Sequence, residues 1–198
     1  MLKNLKKSIV KTQLVTRREI TIGNRIPKDY FITKGVGESE VTIHAGSYHL
    51  ALKNAGIEMC NIMTYSSIMP KIAREIKKPE GFIHGEVMES IMAVAHSKKG
   101  KRASAGIIFG WLYDKQTREK YGGLVCEHNG EYSVKEIKRL LKLSIAELYY
   151  NGFSEKYELK KIRIITESFV PQKRFGTVLV GICFTDYIYP VISNSKDK

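Results

Sequence analysis

The chain has 198 residues, which is enough for one sizeable hydrophobic core and short for two, because a chain of this size buries about 70% of its extended surface on folding. Its 33 basic and 20 acidic residues give a formal net charge of +13, which taken alone would suggest a nucleic-acid or anionic-surface partner. No zinc-finger spacing, RNA-binding aromatic run or repeat accompanies the charge, so we interpret it as a solvated surface plus a basic leader, without nucleic-acid binding.

Three cysteines, Cys60, Cys126 and Cys183, lie far apart in apolar runs and lack the close pairing of zinc or redox sites. They are predicted to be buried thiols of a reducing compartment. The longest apolar runs are strand-length, below the roughly twenty residues that cross a bilayer, and the basic leader has no hydrophobic signal region. We therefore expect a cytoplasmic protein with no membrane segment and no metal.

In chain order, residues 1–27 are predicted to be a basic extension, residues 28–192 one folded domain and residues 193–198 a polar tail. The β-branched and aromatic run from Tyr30 to Lys34 predicts the first core strand, bounded by Gly35 and Gly37 and followed by a loop.

Helical spacing of apolar residues then predicts a short helix from His44 to Asn54. The uncharged run from Met59 to Tyr65 predicts a buried strand that delivers Ser66 and Ser67 to the end of a sheet. The stretch from Gly85 to His96 fits either a helix or a strand, and we favour a strand.

The second half of the chain reads as a hairpin, a helix and two more strands. Ser133 and Glu136 form a capping box at the start of the helix, which Asn151 and Gly152 end. Strands are predicted at 103–113 and 121–128, which form the hairpin, and at 162–170 and 177–187 after the helix. Two helices and about six strands indicate the α+β class.

A pair of adjacent serines, Ser66 and Ser67, is uninformative by itself, because a strand that ends in Ser-Ser-Ile-Met-Pro is usually just leaving a sheet. The surrounding segments are more specific. They are Gly35-Val-Gly-Glu-Ser, His44-Ala-Gly-Ser-Tyr-His-Leu-Ala-Leu, Asn54-Ala-Gly-Ile, Asn61-Ile-Met-Thr-Tyr-Ser-Ser-Ile-Met-Pro and Gly122-Gly-Leu-Val-Cys-Glu. Together they resemble the pyruvoyl-dependent arginine decarboxylases, from about Tyr30 to Tyr189.

The resemblance implies an αββα sandwich that assembles as a trimer or a dimer of trimers with shared active sites. It also implies that the chain is a proenzyme that cuts itself between Ser66 and Ser67. The Ser67 hydroxyl would attack the Ser66 carbonyl, and elimination and hydrolysis would leave a covalently bound pyruvoyl group at position 67. The products would be residues 1–66 and residues 67–198. A carbonyl at this position can absorb the electron pair that decarboxylation leaves, as no ordinary side chain can.

Two further residues match catalytic positions of the family. Glu127 corresponds to the proton donor that reprotonates Cα, and burial beside apolar neighbours would raise its pKa as that role requires. Asn61 precedes Ser67 by six residues, the spacing of an amide near the reacting centre. Without the resemblance, each would be interpreted as an ordinary strand residue.

The substrate is the weakest point of the match. Where the family has an aspartate facing the guanidinium of arginine, this chain has His49, which cannot make the bidentate contact of a carboxylate. Glu38 and Glu40, on the preceding segment, are candidates to replace that charge in substrate binding. His44, His84 and His128 lack ligand-like spacing and are interpreted as structural or surface residues.

The resemblance implies decarboxylation of L-arginine to agmatine in polyamine synthesis. An enzyme alternative is decarboxylation of another basic amino acid, ornithine or lysine. A non-enzyme alternative is a basic binding module that is never cut and binds an anionic polymer.

Overall fold

The computed structural model describes residues 21–192. These residues form two compact units. The larger unit is residues 26–188, and the smaller unit includes the described residues 21–25 and 189–192. In the smaller unit, β1 (Thr21–Ile22) pairs antiparallel with β11 (Val191–Ile192). Residues 1–20 and 193–198, which hold most of the predicted basic extension and all of the predicted tail, lie outside the described residues.

The larger unit contains two sheets and two helical segments. The five-stranded sheet has the order β3-β6-β10-β2-β5 and the four-stranded sheet the order β4-β8-β7-β9. The strands are β2 (Ile26–Ser39), β3 (Asn61–Thr64), β4 (Ile68–Pro70), β5 (Arg74–Glu75), β6 (Val87–Lys98), β7 (Ala103–Asp114), β8 (Lys120–Gly130), β9 (Tyr157–Phe169) and β10 (Phe175–Ile188). The helical segments are a π-helical turn (Ile43–Tyr48) continued by α1 (His49–Ala55), and α2 (Val134–Gly152).

The layers lie in the order α1, five-stranded sheet, four-stranded sheet, α2. One apolar cluster fills the space between the sheets, and its members include Ile91, Phe109 and Val180. A second cluster packs α1 on the five-stranded sheet, and a third packs α2 on the four-stranded sheet. The prediction of a single mixed domain of the α+β class is therefore confirmed.

The helix predicted after the hairpin is confirmed as α2. The Ser133 side chain accepts a hydrogen bond from the Glu136 backbone N–H, which is one half of the predicted capping box. Ile137, Leu141 and Ile145 form the buried stripe of this helix. The preference for a strand at 85–96 is confirmed as well, because β6 occupies that stretch.

The predicted boundary at Gly35 and Gly37 is wrong, because β2 continues through both glycines to Ser39. The helical segment crosses β2 at this point. A Cβ on Gly35 would lie 2.1 Å from the Ala51 carbonyl oxygen, and one on Gly37 would lie 2.2 Å from that of Ser47. These glycines therefore permit a close helix–sheet approach and do not end the strand.

The predicted burial of the strand before the serine pair is also wrong. The strand exists as β3, but it lies at the edge of the five-stranded sheet, and Asn61, Met63 and Thr64 are exposed. An uncharged sequence gave the correct element but the wrong environment, because composition does not distinguish a strand buried within one chain from an apolar edge strand.

The three cysteines are free thiols; Cys60 and Cys183 are buried as predicted, whereas Cys126 is partly exposed. Burial raises the pKa of Cys183 to about 12 and that of Cys126 to about 11. Among residues 21–192, no helix is long and apolar enough to cross a membrane.

Candidate active site

Ser66 and Ser67 lie where the chain crosses from one sheet to the other. The strand before them, β3, belongs to the five-stranded sheet, and the strand after them, β4, belongs to the four-stranded sheet. Ser66 is exposed and Ser67 is partly buried. The bond between the two serines is therefore part of a short connection between the two layers.

This connection is held at both ends by backbone hydrogen bonds. On the upstream side, the Tyr65 N–H donates to the Ser90 carbonyl of β6 at 2.8 Å. On the downstream side, the Val125 N–H of β8 donates to the Ser67 carbonyl at 3.0 Å. Each flank of the serine pair is thus fixed to a different sheet.

A three-residue turn surrounds Ser67. The Ile68 N–H donates to the Ser66 carbonyl oxygen at 2.9 Å, which is the bond of a γ-turn centred on Ser67. If the Ser67 hydroxyl attacks the Ser66 carbonyl carbon, negative charge develops on this oxygen. A donor already placed on the oxygen stabilises that charge without having to reorganise.

The side chain of Ser67 meets Glu127, which is sixty positions away in sequence. The Ser67 Oγ donates to the Glu127 Oε2 at 3.3 Å. Alternate residues of a strand point to the same face, so Glu127 projects from β8 on the side where Val125 enters the core between the sheets. The sequence prediction that these two residues belong to one site agrees with this contact.

Burial raises the pKa of the Glu127 carboxyl above its ordinary value, while the hydrogen bond from Ser67 acts in the opposite direction. A carboxyl group with a raised pKa keeps its proton closer to neutrality. It can therefore act as a proton donor at the position that the Ser67 side chain occupies.

Asn61 is not joined to this group by any hydrogen bond of the described residues. It is the first residue of β3, and its Nδ2 donates to the Gly85 carbonyl oxygen at 3.0 Å. This bond holds the loop before β6. The predicted catalytic role of Asn61 remains a prediction.

Glu38 and Glu40 hold the connection between β9 and β10. The Glu38 Oε2 accepts the backbone N–H groups of Gln172 at 2.6 Å and of Lys173 at 3.0 Å. The Glu40 Oε2 accepts the Arg174 N–H at 3.3 Å. Both carboxylates therefore have a structural use in the chain.

Glu38 also borders an open cavity of about 470 Å³ beside α1, with Leu50, Lys53 and Lys173 on its wall. The two ammonium groups there would disfavour a cationic side chain. His49, the first residue of α1, is exposed. The structure thus brings together Ser66, Ser67 and Glu127, and it does not add the predicted substrate-binding residues His49, Glu38 and Glu40 to them.

Of the three histidines interpreted as structural or surface residues, His128 has a hydrogen-bond partner in α2. His128 bonds the Ser144 hydroxyl of α2 through its Nε2 at 2.7 Å, which is a structural link between sheet and helix. Among the described residues, no group of three or more His, Cys, Asp or Glu side chains could hold a metal ion.

Sequence reasoning missed one polar pair at this site. The Tyr65 hydroxyl donates to the Glu89 carboxylate, whose residue is only 3% exposed. The signal was present in the sequence, since Glu89 is the one acid in the otherwise uncharged run from Val87 to Ala95.

A serine pair on a crossover between two sheets, with a backbone donor on the first carbonyl and a carboxyl group on the second hydroxyl, defines a candidate site for self-cleavage by acyl shift. A family model described as pyruvoyl-dependent arginine decarboxylase matches residues 29–189. This chain belongs to that family.

Curated relatives agree with the assignment. A protein of Chlorobaculum parvum named "Probable pyruvoyl-dependent arginine decarboxylase" is 34% identical over 121 residues, covering 54% of this chain but only 64% of the relative, less than two thirds of its length. "Pyruvoyl-dependent arginine decarboxylase 2" of Archaeoglobus fulgidus is 34% identical over 111 residues, covering 54% of this chain and 67% of the relative. The Methanopyrus kandleri "Pyruvoyl-dependent arginine decarboxylase" is 31% identical over 147 residues, covering 74% of this chain and 89% of the relative.

Proposed function

We propose that this chain is the proenzyme of a pyruvoyl-dependent decarboxylase that cuts itself between Ser66 and Ser67 and then converts L-arginine to agmatine and carbon dioxide. The observation that carries the proposal is the contact of the Ser67 hydroxyl with Glu127, beside a Ser66 carbonyl that already accepts the Ile68 N–H. Family membership and the names of the relatives support the substrate and the cofactor.

In the first step, the Ser67 Oγ forms a bond to the Ser66 carbonyl carbon, and the C–N bond between the two residues breaks. The hydroxyl proton goes to the departing nitrogen, which leaves an ester and a free amine. The Ile68 N–H stabilises the oxyanion that forms on the way. Glu127 orients the hydroxyl by accepting its hydrogen bond.

In the next steps, residue 67 loses its Cα proton and its Cβ–Oγ bond breaks, which releases the carboxylate of Ser66 and leaves a dehydroalanine. A proton moves to Cβ to give an imine, water adds to the imine carbon, ammonia departs, and a methyl ketone remains. The two chains are residues 1–66 and residues 67–198.

The surroundings of residue 67 fit such a pyruvoyl group. Its main-chain carbonyl is held by the Val125 N–H, and a carboxyl group with a raised pKa lies within hydrogen-bond reach of its side chain. A pyruvoyl group would supply a carbonyl that accepts the electron pair left at the Cα of the substrate amino acid when carbon dioxide departs. Glu127 would then return a proton to that substrate Cα.

The surface around the serine pair supports an assembly of several copies, in which a second protomer completes the site. Met63 is 56% exposed, Ile68 56% and Val87 57%, all close to the crossover. Apolar side chains grouped in this way are typical of a covered surface. A trimer or a dimer of trimers would cover them and could bring Asn61, His49 or Glu38 of a neighbouring copy toward residue 67.

Arginine is the proposed substrate, and ornithine and lysine are alternatives because His49 cannot form the contact of an acid with a guanidinium. Release of carbon dioxide should be compared across the three amino acids with purified, processed protein. Release from ornithine or lysine but not from arginine would contradict the proposed substrate and keep the reaction class.

Self-cleavage is tested by intact-mass spectrometry of the wild type, Ser67→Ala and Ser66→Ala. The wild type should give two chains, and Ser67→Ala one uncut chain, because it lacks the nucleophile. Ser66→Ala is the matched control and should still be cut, since only the backbone carbonyl of residue 66 reacts. An uncut wild-type chain that releases carbon dioxide would contradict the proposal.

A further inference from the structure

The residue just before the serine pair is fixed by its side chain as well as by its backbone. The Tyr65 hydroxyl donates to the Glu89 carboxylate of β6, in addition to the bond from the Tyr65 N–H to the Ser90 carbonyl. The Tyr65 ring also packs on Phe184 with the ring centroids 5.7 Å apart. Three separate contacts therefore hold Tyr65 against the five-stranded sheet.

Glu89 is an unusual residue for its position. It is only 3% exposed, and it stands in register with Phe184 of β10 and with Met63 of β3. A buried carboxylate is costly unless it is hydrogen-bonded, and a tyrosine hydroxyl is a suitable donor. A core that needed only packing would be better served by an apolar residue, which indicates that this bond has a use beyond stability.

Among the described residues, Ser66 has no such anchor to the five-stranded sheet: its side chain is exposed, and its carbonyl oxygen accepts only the Ile68 N–H, a bond within the connection itself. On the other side of the bond, Ser67 is held by Val125 and Glu127. The Ile68 N–H fixes the Ser66 carbonyl from the downstream side, and Tyr65, the nearest anchored residue upstream, fixes it from the other side.

We infer that Tyr65, through its bond to Glu89, is a positioning residue for self-cleavage that holds the Ser66 carbonyl in the path of the Ser67 hydroxyl. The inference rests on the proposed self-cleavage and adds residues that neither the motif nor the family's name assigns. Neither side chain exchanges a proton with the reacting atoms. Their contribution is to geometry, where a displacement of about 1 Å can cost about a hundredfold in rate.

The test compares the rate of chain cleavage in freshly synthesised full-length protein with thermal stability in the same samples. Tyr65→Phe keeps the ring and removes the hydroxyl, so cleavage should slow by about ten- to a hundredfold. Glu89→Gln keeps an acceptor oxygen for the tyrosine and should cleave within about threefold of the wild type. Tyr149→Phe is the matched control, because it removes a hydroxyl that bonds the Tyr157 carbonyl at 2.8 Å in another part of the chain, and it should cleave at the wild-type rate.

The double variant Tyr65→Phe/Glu89→Gln separates positioning from stability. Tyr65→Phe alone removes the Tyr65 hydroxyl from the buried Glu89 side chain, which should lower the melting temperature, and the added Glu89→Gln change replaces the carboxyl group by a neutral amide and should restore it. Cleavage should remain slow although stability returns. If Tyr65→Phe alone does not fold, the double variant carries the test.

Hydroxylamine, which cleaves esters, reports which step is slow. It should not speed the breakage of the Tyr65→Phe chain, because the ester has not formed. Three results would overturn the inference and leave the proposed function standing. They are a wild-type cleavage rate in Tyr65→Phe, recovery of the cleavage rate together with stability in the double variant, and rapid breakage of the Tyr65→Phe chain with hydroxylamine. A wild-type chain that is never cut would instead contradict the proposed function.

Discussion

At the scale of single residues, Glu127 combines two properties that suit different steps. It accepts a hydrogen bond from the Ser67 hydroxyl, and its raised pKa favours the protonated form closer to neutrality. The proposed cleavage would remove the Ser67 hydroxyl, and with it the hydrogen bond that lowers the pKa of Glu127. The pKa of Glu127 should therefore be higher in the processed enzyme than in the precursor.

The decarboxylation rate should consequently depend on pH in a defined direction. In the proposed role of proton donor, the protonated form of Glu127 is the active one, so turnover should be retained at low pH and fall as the pH rises through a pKa above the ordinary glutamate value. The measurement is a profile of kcat against pH for the processed enzyme.

Glu127→Gln serves as the control for this profile. It keeps an acceptor for the Ser67 hydroxyl but has no proton to give, so it should be cut normally and turn over about a hundredfold or more slowly at every pH. Glu119→Gln, at an exposed position just before β8, should leave the profile unchanged. A Glu127→Gln enzyme with unchanged turnover would exclude Glu127 from the reaction.

At the scale of elements, the segment that carries α1 depends on two glycines of β2. Gly35 lies under the helix, where an added Cβ would be 2.1 Å from the Ala51 carbonyl oxygen and 2.8 Å from the Ala55 nitrogen. Backbone atoms cannot move aside as a flexible side chain can. The glycine therefore sets the distance between the helix and the five-stranded sheet.

Gly35→Ala should accordingly lower the free energy of unfolding by about 1–3 kcal/mol, the usual cost of overpacking. Gly152→Ala is the matched control: its Cβ would meet nothing within 4 Å, so its stability should change by less than about 1 kcal/mol. Urea unfolding in the uncut Ser67→Ala background gives both values for a single chain. Equal stability of the two variants would show that the helix can shift without cost.

The local pattern of the sequence was enough for the elements with a strong period, such as α2 with its Ser133 cap. It was not enough where the meaning of a residue depends on a distant one. The sequence predicts a strand boundary at Gly35, and only the position of α1 above it explains the glycine. The sequence also predicts a buried strand before Ser66, and only the sheet order shows that β3 lies at an edge. Sheet order and helix placement are non-local, so no local pattern contains them.

The candidate site shows the same division. Ser67 and Glu127 were paired in advance only through the family resemblance, because sixty residues separate two side chains that touch across neighbouring strands. The bond between Tyr65 and Glu89 was not predicted at all. A tyrosine and a glutamate in apolar runs have no sequence feature that joins them before the register of β3 on β6 is known.

At the scale of the whole molecule, the proposed cut lies in the connection between the two sheets, but both resulting chains contribute strands to the five-stranded sheet. Residues 1–66 contribute β2 and β3, and residues 67–198 contribute β5, β6 and β10 of the same five-stranded sheet. In that sheet β3 lies at the edge beside β6, while β2 lies between β10 and β5. The pairing of β2 with β10 runs from Ile26 to Ser39.

The two chains should therefore remain associated after cleavage under native conditions. Separating them would break the β2–β10 ladder and expose the cluster in which Phe31, Ala51 and Leu52 pack against Leu179 and Cys183. In size-exclusion chromatography, processed protein should elute as one species that contains both chains, at the volume of uncut Ser67→Ala. The chains should separate only in concentrated guanidinium chloride. Elution of the shorter chain alone in native buffer would mean that cleavage releases β2 from the sheet, which this topology does not allow without unfolding.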